Sequence, residues 1–311
     1  MFSGYLFRII IIILIALRSQ SLVFQWISME VRSILFLPLL CSGDSENYVL
    51  GGVKYFLSQT PPAVIVLIRL IIIPSLMYEI FVVALFFKIG VPPFHGWVFR
   101  IITTRDPICL GILLTLIKFL PLLILSTASQ FRSILNISMV IFIFILILTI
   151  GNIVNIITVI VLSSIGNSYW VLSSLIGSSP WLEFILIYIL VTVFMFFYIN
   201  ISKVQNTLEI LYAPARLKII IILYLMCMGG IPPIVVFFFK LIIIKAISVH
   251  TGSVLLLLLV GGILLIFYMN VRFNLLLLSP SPKENSKNTY KLSCFIMIYI
   301  TSPGIRALML I

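Results

Sequence analysis

Acidic residues are scarce in this chain: eight Asp and Glu in 311 residues, against twenty Lys and Arg. Charged residues of either sign make up only 9% of the sequence, while 62% is hydrophobic and the mean hydropathy is +1.31. A water-soluble domain needs a polar coat, so this composition excludes one. Cysteine is equally sparse. Cys41, Cys109, Cys227 and Cys294 lie far apart with no metal-ligand spacing, which excludes a zinc or iron–sulfur centre of any usual pattern. They read as buried thiols acting as small hydrophobes. The sequence also lacks a glycine-rich nucleotide loop, a nucleophile–base pair and a linker, so an enzyme acting alone is the reading it supports least.

What is left is a polytopic membrane chain. Backbone amides must be satisfied inside lipid, which makes an all-α architecture the default. A barrel would show short alternating strands, and runs such as Ile9–Ile13 and Leu255–Leu259 show no alternation. The formal net charge of +12 does not imply nucleic acid, because the basic residues are scattered singly between hydrophobic spans. There they act as topology signals.

At about twenty apolar residues per span, the sequence predicts about eleven: 5–23, 24–41, 49–73, 76–100, 107–127, 133–151, 153–176, 181–201, 217–246, 253–274 and 291–311. The first resembles a signal peptide, with Arg8 ahead of Ile9–Leu17. However, Arg18 follows and no small-residue cleavage site appears, so it is read as a membrane helix. The N-terminus and even-numbered loops carry Arg8, Arg100, Arg105, Lys203, Arg216, Lys218, Arg272, Lys283, Lys287 and Lys291. The other side carries mainly Arg18, Arg69, Arg132 and Lys245, which predicts the N-terminus inside and the C-terminus outside. The stretch Ser279–Lys291 is the one clearly polar loop, and the whole reads as a single membrane domain, 1–311. It divides into a first half (1–127), a second half (128–274) and a C-terminal helix (291–311).

Two breakers punctuate this pattern. Gly90-Val91-Pro92-Pro93 follows Lys88 at the end of an apolar run, and Gly229-Gly230-Ile231-Pro232-Pro233 returns later with Lys240 after it. Interrupted hydrophobic segments, one per half, point to inverted repeats and to the site they enclose. The long ninth span is expected to bend or break at Pro232-Pro233. Each proline removes an amide and leaves a carbonyl upstream unpaired, tolerable only where water or polar groups reach it.

Four ionisable residues fall inside spans: Glu30, Lys88, Lys118 and Lys240. A lysine at mid-membrane costs about 2.5–3.5 kcal/mol on the insertion scale, so such groups must meet one another or water. In a low-dielectric setting a charge on one group retunes its neighbours, which is the physical basis of a proton relay. The competing reading is snorkelling to the interface, which suits Lys54 best and Lys118 least. Glu30 becomes an interfacial acid if the second span starts late. His95 is a candidate proton carrier or a satisfied buried histidine, and His250 reads as loop. Phe194–Tyr198 reads as lipid-facing or packing surface.

Lys88-Ile89-Gly90-Val91-Pro92-Pro93-Phe94-His95-Gly96-Trp97 resembles the Lys-Leu-Gly-x-x-Pro-Phe-His-x-Trp signature of the mitochondrial NADH–ubiquinone oxidoreductase chain 2 family. The resemblance continues through Met29-Glu30 with Phe36–Leu40, then Lys54–Gln59 and Leu113–Lys118. It resumes at Ser163-Ser164-Ile165 with Trp170, and at Gly229–Pro233 with Lys240, so that it spans roughly 25–245. It implies an antiporter-like membrane-arm subunit of respiratory complex I in the mitochondrial inner membrane, with a matrix-side N-terminus. Such a subunit has no redox centre or bound cofactor of its own. NADH, FMN, iron–sulfur clusters and ubiquinone are used by the complex. The implied partners are other membrane-arm subunits and the lipid bilayer, with no nucleic acid and no action as a monomer. By motif, Glu30 matches the glutamate paired with Lys88, Lys118 the central lysine of the first half, and Lys240 the lysine of the second broken helix.

The chain departs from the family at Ile157-Thr158 and Leu162, where an Arg-Lys pair is common, and at Asn167, where a histidine is frequent. It is also somewhat short between the third and fourth spans. A cation/proton antiporter subunit is the alternative, opposed by Lys54–Gln59 and by the absence of the first three helices of the longer antiporter pattern. A structural subunit whose polar residues only lock helices together is the third reading.

Overall fold

A computed structural model describes residues 2–19, 21–41, 46–71, 78–102, 107–127, 132–150, 156–176, 181–202, 215–230 and 235–250. Among them the chain is all-α. Its helices are α1 (Phe2–Arg18), α2 (Leu22–Leu40), α3 (Glu46–Ile71), α4 (Tyr78–Ile89), α5 (Gly96–Ile102), α6 (Pro107–Leu114) and α7 (Leu116–Ser126). They continue as α8 (Arg132–Ile150), α9 (Ile156–Ile176), α10 (Trp181–Ser202), α11 (Ala215–Gly229) and α12 (Val235–His250). The spans expected at 253–274 and 291–311, the polar loop between them, and Cys294 lie outside the described residues.

Leu22–Leu40, Pro107–Ser126, Ile157–Ile176 and Trp181–Ile201 are long and apolar enough to cross a membrane. The breakers explain why the spans expected at 76–100 and 217–246 are not continuous helices. Helix α4 ends where glycine and proline withdraw the ladder, and α11 stops likewise ahead of Pro232 in the sequence. His250, expected in a loop, closes α12 instead.

The chain divides into two compact units. The first holds Met1–Phe142 with Thr192–Phe197, the second Ile143–Val191 with Tyr198–Ile311. In the first, α7 packs against α1, α2, α4 and α6, while α3 covers α2, α4 and α5. Between helices in lipid, cohesion comes from close packing and interhelical hydrogen bonds rather than from expelling water. Trp26 Nε1 accordingly donates to the Ala63 carbonyl at 3.0 Å, and Gly111 admits Phe196 so closely that a Cβ there would meet its Cβ at 3.0 Å. Arg69, near the end of the span expected at 49–73, lies in the last turn of α3 with its guanidinium 3.9 Å from the Phe81 ring centroid. In the second unit α9 packs against both α11 and α12. The thiols are not uniformly buried: Cys109 is, but Cys41 is exposed at the end of α2, where the helix runs out.

Candidate functional site

The first breaker builds a tight helix end. Gly90 takes φ +78°, and its N–H reaches the Phe87 carbonyl at 3.1 Å while Val91 N–H reaches Phe86 at 3.1 Å. This reciprocal cap needs a left-handed residue, which glycine supplies without strain. The Trp97 indole then donates to the same Phe87 carbonyl at 3.1 Å, folding α5 back onto the end of α4. Lys88, one residue before the helix end, is 2% exposed and forms an ion pair with Glu30 of α2. The two residues are 58 positions apart in sequence, and the packing of α3 and α7 against both α2 and α4 brings them together.

Lys118 is buried on α7. A feature not expected from the sequence lies three residues earlier: the span 107–127 is interrupted at Thr115, between α6 and α7. The Thr115 hydroxyl donates to the Gly111 carbonyl at 2.6 Å, the back-bonding geometry that bends helices. Pro121 removes a further amide, the one that would have reached the Ile117 carbonyl. Lys118 therefore follows a third helix break, in a span that is 89% buried.

Arg32 was not among the expected residues, yet it is buried at 1% exposure. Its Nη1 donates to the Leu116 carbonyl at 2.7 Å, joining α2 to the start of α7. Its position in mid-span, two residues after Glu30, was the available signal. His95 stands just before α5, half-buried and edge-on to Phe99 with ring centroids 5.7 Å apart. None of the described contacts joins it to Glu30 or Lys88.

In the second unit the breaker is used differently. Gly230 takes φ +74° and caps α11 through the Cys227 carbonyl at 3.1 Å. The Met228 carbonyl would be the acceptor for residue 232, which is a proline with no N–H to offer. Lys240 of α12 takes that place, donating from Nζ to Met228 O at 2.9 Å, with its ammonium 5.6 Å from the Trp170 ring centroid. Asn167 of α9 reaches the same residue, its amide 3.3 Å from Met228 Sδ. Four serines of α9 are satisfied locally: Ser163, Ser168, Ser173 and Ser174 donate to carbonyls three or four residues back. Glu30 and Lys88 thus meet in the first unit, and in the second Lys240 is held at its own helix break. Pro232 and Pro233 lie outside the described residues.

Gly230 matters to Lys240 directly, since a Cβ there would meet Lys240 Cδ at 2.8 Å and Nζ at 3.0 Å. Gly230→Ala is expected to cost about 1–2 kcal/mol from the backbone alone and to displace the amine from Met228. Thermal unfolding of the purified assembly checks this. An unchanged midpoint would mean that Lys240 is not held there.

No protein-family model matches the chain. Among curated proteins, NADH-ubiquinone oxidoreductase chain 2 of Crocidura hildegardeae is 28% identical over 305 residues, covering 89% of this chain and 86% of that one. Chain 2 of Lumbricus terrestris is 26% identical over 302 residues, covering 92% and 90%. Among solved structures, a chain of respiratory complex I from Thermus thermophilus with bound aureothin matches with a TM-score of 0.74 at 16% identity, over 85% of this chain and 67% of that one. At that identity the match speaks for the fold alone. None of these three is named as a cation/proton antiporter, and that alternative is not favoured. Over most of its length this chain is similar to NADH-ubiquinone oxidoreductase chain 2, and it carries a fold found in respiratory complex I.

Proposed function

We propose that this chain is a core membrane-arm subunit of mitochondrial respiratory complex I. In that role it takes part in moving protons across the inner membrane, coupled to electron transfer from NADH to ubiquinone. The observation that carries the reading is the ion pair of the buried Lys88 with the half-buried Glu30 beside a helix break, in a chain similar to chain 2. A charge held inside a membrane span is costly, and its default reading is a place on an ion or proton path. Pairing a carboxylate with an amine lowers that cost and makes the state of one depend on the other.

On this reading Glu30 and Lys88 take up and release a proton in the first half, and Lys118 passes it on within that half. Lys240 serves the second half, and His95 is a candidate carrier at the first break. The halves are 1–127 and 128–274, followed by a C-terminal helix at 291–311. The N-terminus faces the matrix. The chain holds no redox centre. NADH, FMN, the iron–sulfur clusters and ubiquinone are engaged by other subunits, so its catalytic part is confined to the proton. Its neighbours are other membrane-arm subunits and lipid.

Native electrophoresis of gently solubilised membranes tests this, with detection of the chain and staining for NADH oxidation. The expected result is co-migration with a very large NADH-oxidising particle. Migration as a small particle without that activity would contradict the proposal.

A further inference from the structure

Arg32 is a charge that the relay as described does not use. It sits on α2 two residues from Glu30, and residues so spaced project to different faces of a helix. Glu30 turns to Lys88 on α4, while Arg32 reaches the Leu116 carbonyl on α7, just past the break at Thr115. The guanidinium nevertheless lies within electrostatic reach of Glu30, of Lys88 and of the Tyr55 hydroxyl. That one carbonyl does not satisfy it: Arg32 Nε is buried with no hydrogen-bond partner among the described residues, and the Tyr55 hydroxyl is in the same state. A guanidinium kept only to tie two helices together would be expected to have its donors filled.

Three charges then share one largely buried region: one half-buried carboxylate, one buried amine and one buried guanidinium. The amine can give up its proton, but the guanidinium keeps its charge at any working pH. Without Arg32, release of a proton from Lys88 would leave the Glu30 carboxylate as a lone charge among apolar helices, which opposes the release. With Arg32 present, a permanent cation remains in reach of Glu30 after Lys88 has become neutral.

We infer that Arg32 is a positioning residue for the proton relay, a fixed counter-charge to Glu30 that allows Lys88 to release its proton, held in place by the Leu116 carbonyl. The inference rests on the proposed proton role of the chain. It adds that the α2–α7 contact, and not the Glu30–Lys88 pair alone, sets whether the pair can discharge. A shift of α7 at its break would move the guanidinium with it and so change the field at Glu30.

The test is the number of protons translocated per NADH oxidised by the intact complex in sealed vesicles, with Lys118→Ala measured alongside. Arg32→Gln is expected to lower the ratio at least twofold, and Arg32→Lys, whose buried amine can give up its proton as that of Lys88 does, to lose ratio relative to the unmodified complex as the pH rises. On a Glu30→Gln background, Arg32→Gln is expected to cause no further loss, because the group it acts through is already neutral. A helix-locking role alone would make the two losses add. A normal ratio in Arg32→Gln, or additive losses in the double variant, would overturn the inference. So would a ratio in assembled Arg32→Lys that does not fall, relative to the unmodified complex, as the pH rises, which also decides the matter should the Gln variant fail to assemble. If Lys118→Ala pumps normally, the relay itself is wrong. If Lys118→Ala fails to pump while Arg32→Gln pumps normally, only the role of Arg32 is.

Discussion

Lys88→Met is expected to deplete the assembled complex, and adding Glu30→Gln is expected to bring assembly back without restoring proton transport. Lys88 is 2% exposed and Glu30 21%, so the single substitution leaves a largely buried carboxylate without its ion-pair partner, with only the Arg32 guanidinium, which makes no ion pair with it among the described residues, in electrostatic reach. Breaking such a pair from one side costs about 3–5 kcal/mol. At about 1.4 kcal/mol per tenfold change in an equilibrium, this shifts folding more than about a hundredfold and takes a large share of the roughly 5–15 kcal/mol that holds a typical domain folded. Making both groups neutral removes the orphaned carboxylate, while Arg32 keeps its hydrogen bond to the Leu116 carbonyl. Exchange of a buried pair for apolar groups of similar volume is often neutral or better, by about 1–4 kcal/mol. The quantity of chain in the large particle on a native gel measures the first effect, and proton transport in sealed vesicles measures the second. Full transport in the double variant would show that the pair serves only to hold α2 against α4.

Much of the architecture was legible because lipid leaves few options. Long apolar runs must be helical, and Gly-x-Pro-Pro cannot continue a helix, so the ends of α4 and α11 could be read from residues 90–93 and 229–233. The vacancy at the Met228 carbonyl was legible in the same way, since Pro232 has no amide. That Lys240 fills it depends on how α11 and α12 fold against each other, which no local pattern states. The pairing of Glu30 with Lys88 was likewise not written in spacing. It followed from a family resemblance, and in the fold it follows from helices that both contact α3 and α7.

Two features were missed for identifiable reasons. Basic residues were sorted by loop, as the positive-inside rule asks, and that sorting overlooked Arg32 in the middle of α2. Its proximity to Glu30 was visible, but its carbonyl partner on α7 is 84 positions away. The break at Thr115 was missed because threonine is not a helix breaker. It acts through its hydroxyl, which turns back to Gly111 at a point where glycine already lets α10 approach closely.

The second large effect is expected at Lys118. Its helix is flanked by α1, α2, α4 and α6, and its span is 89% buried, so no short path leads its amine to an interface. Lys118→Ala removes a charge that costs about 2.5–3.5 kcal/mol at the centre of a span. It also opens a cavity, typically worth about 2–5 kcal/mol for a long side chain cut to alanine. These terms have opposite signs and similar size, so assembly is expected to survive. Lys118→Leu, which refills the volume, is expected to be at least as stable as the alanine variant. Neither side chain can hold a proton, so both are expected to stop transport along this path.

The measurement that tests the account most directly is the ratio of protons translocated to NADH oxidised for assembled Lys118→Ala complex in sealed vesicles. The account predicts a marked fall in that ratio with the NADH-oxidising particle intact. An intact particle with an unchanged ratio would contradict it, and would leave the buried lysines of this chain as structural groups only.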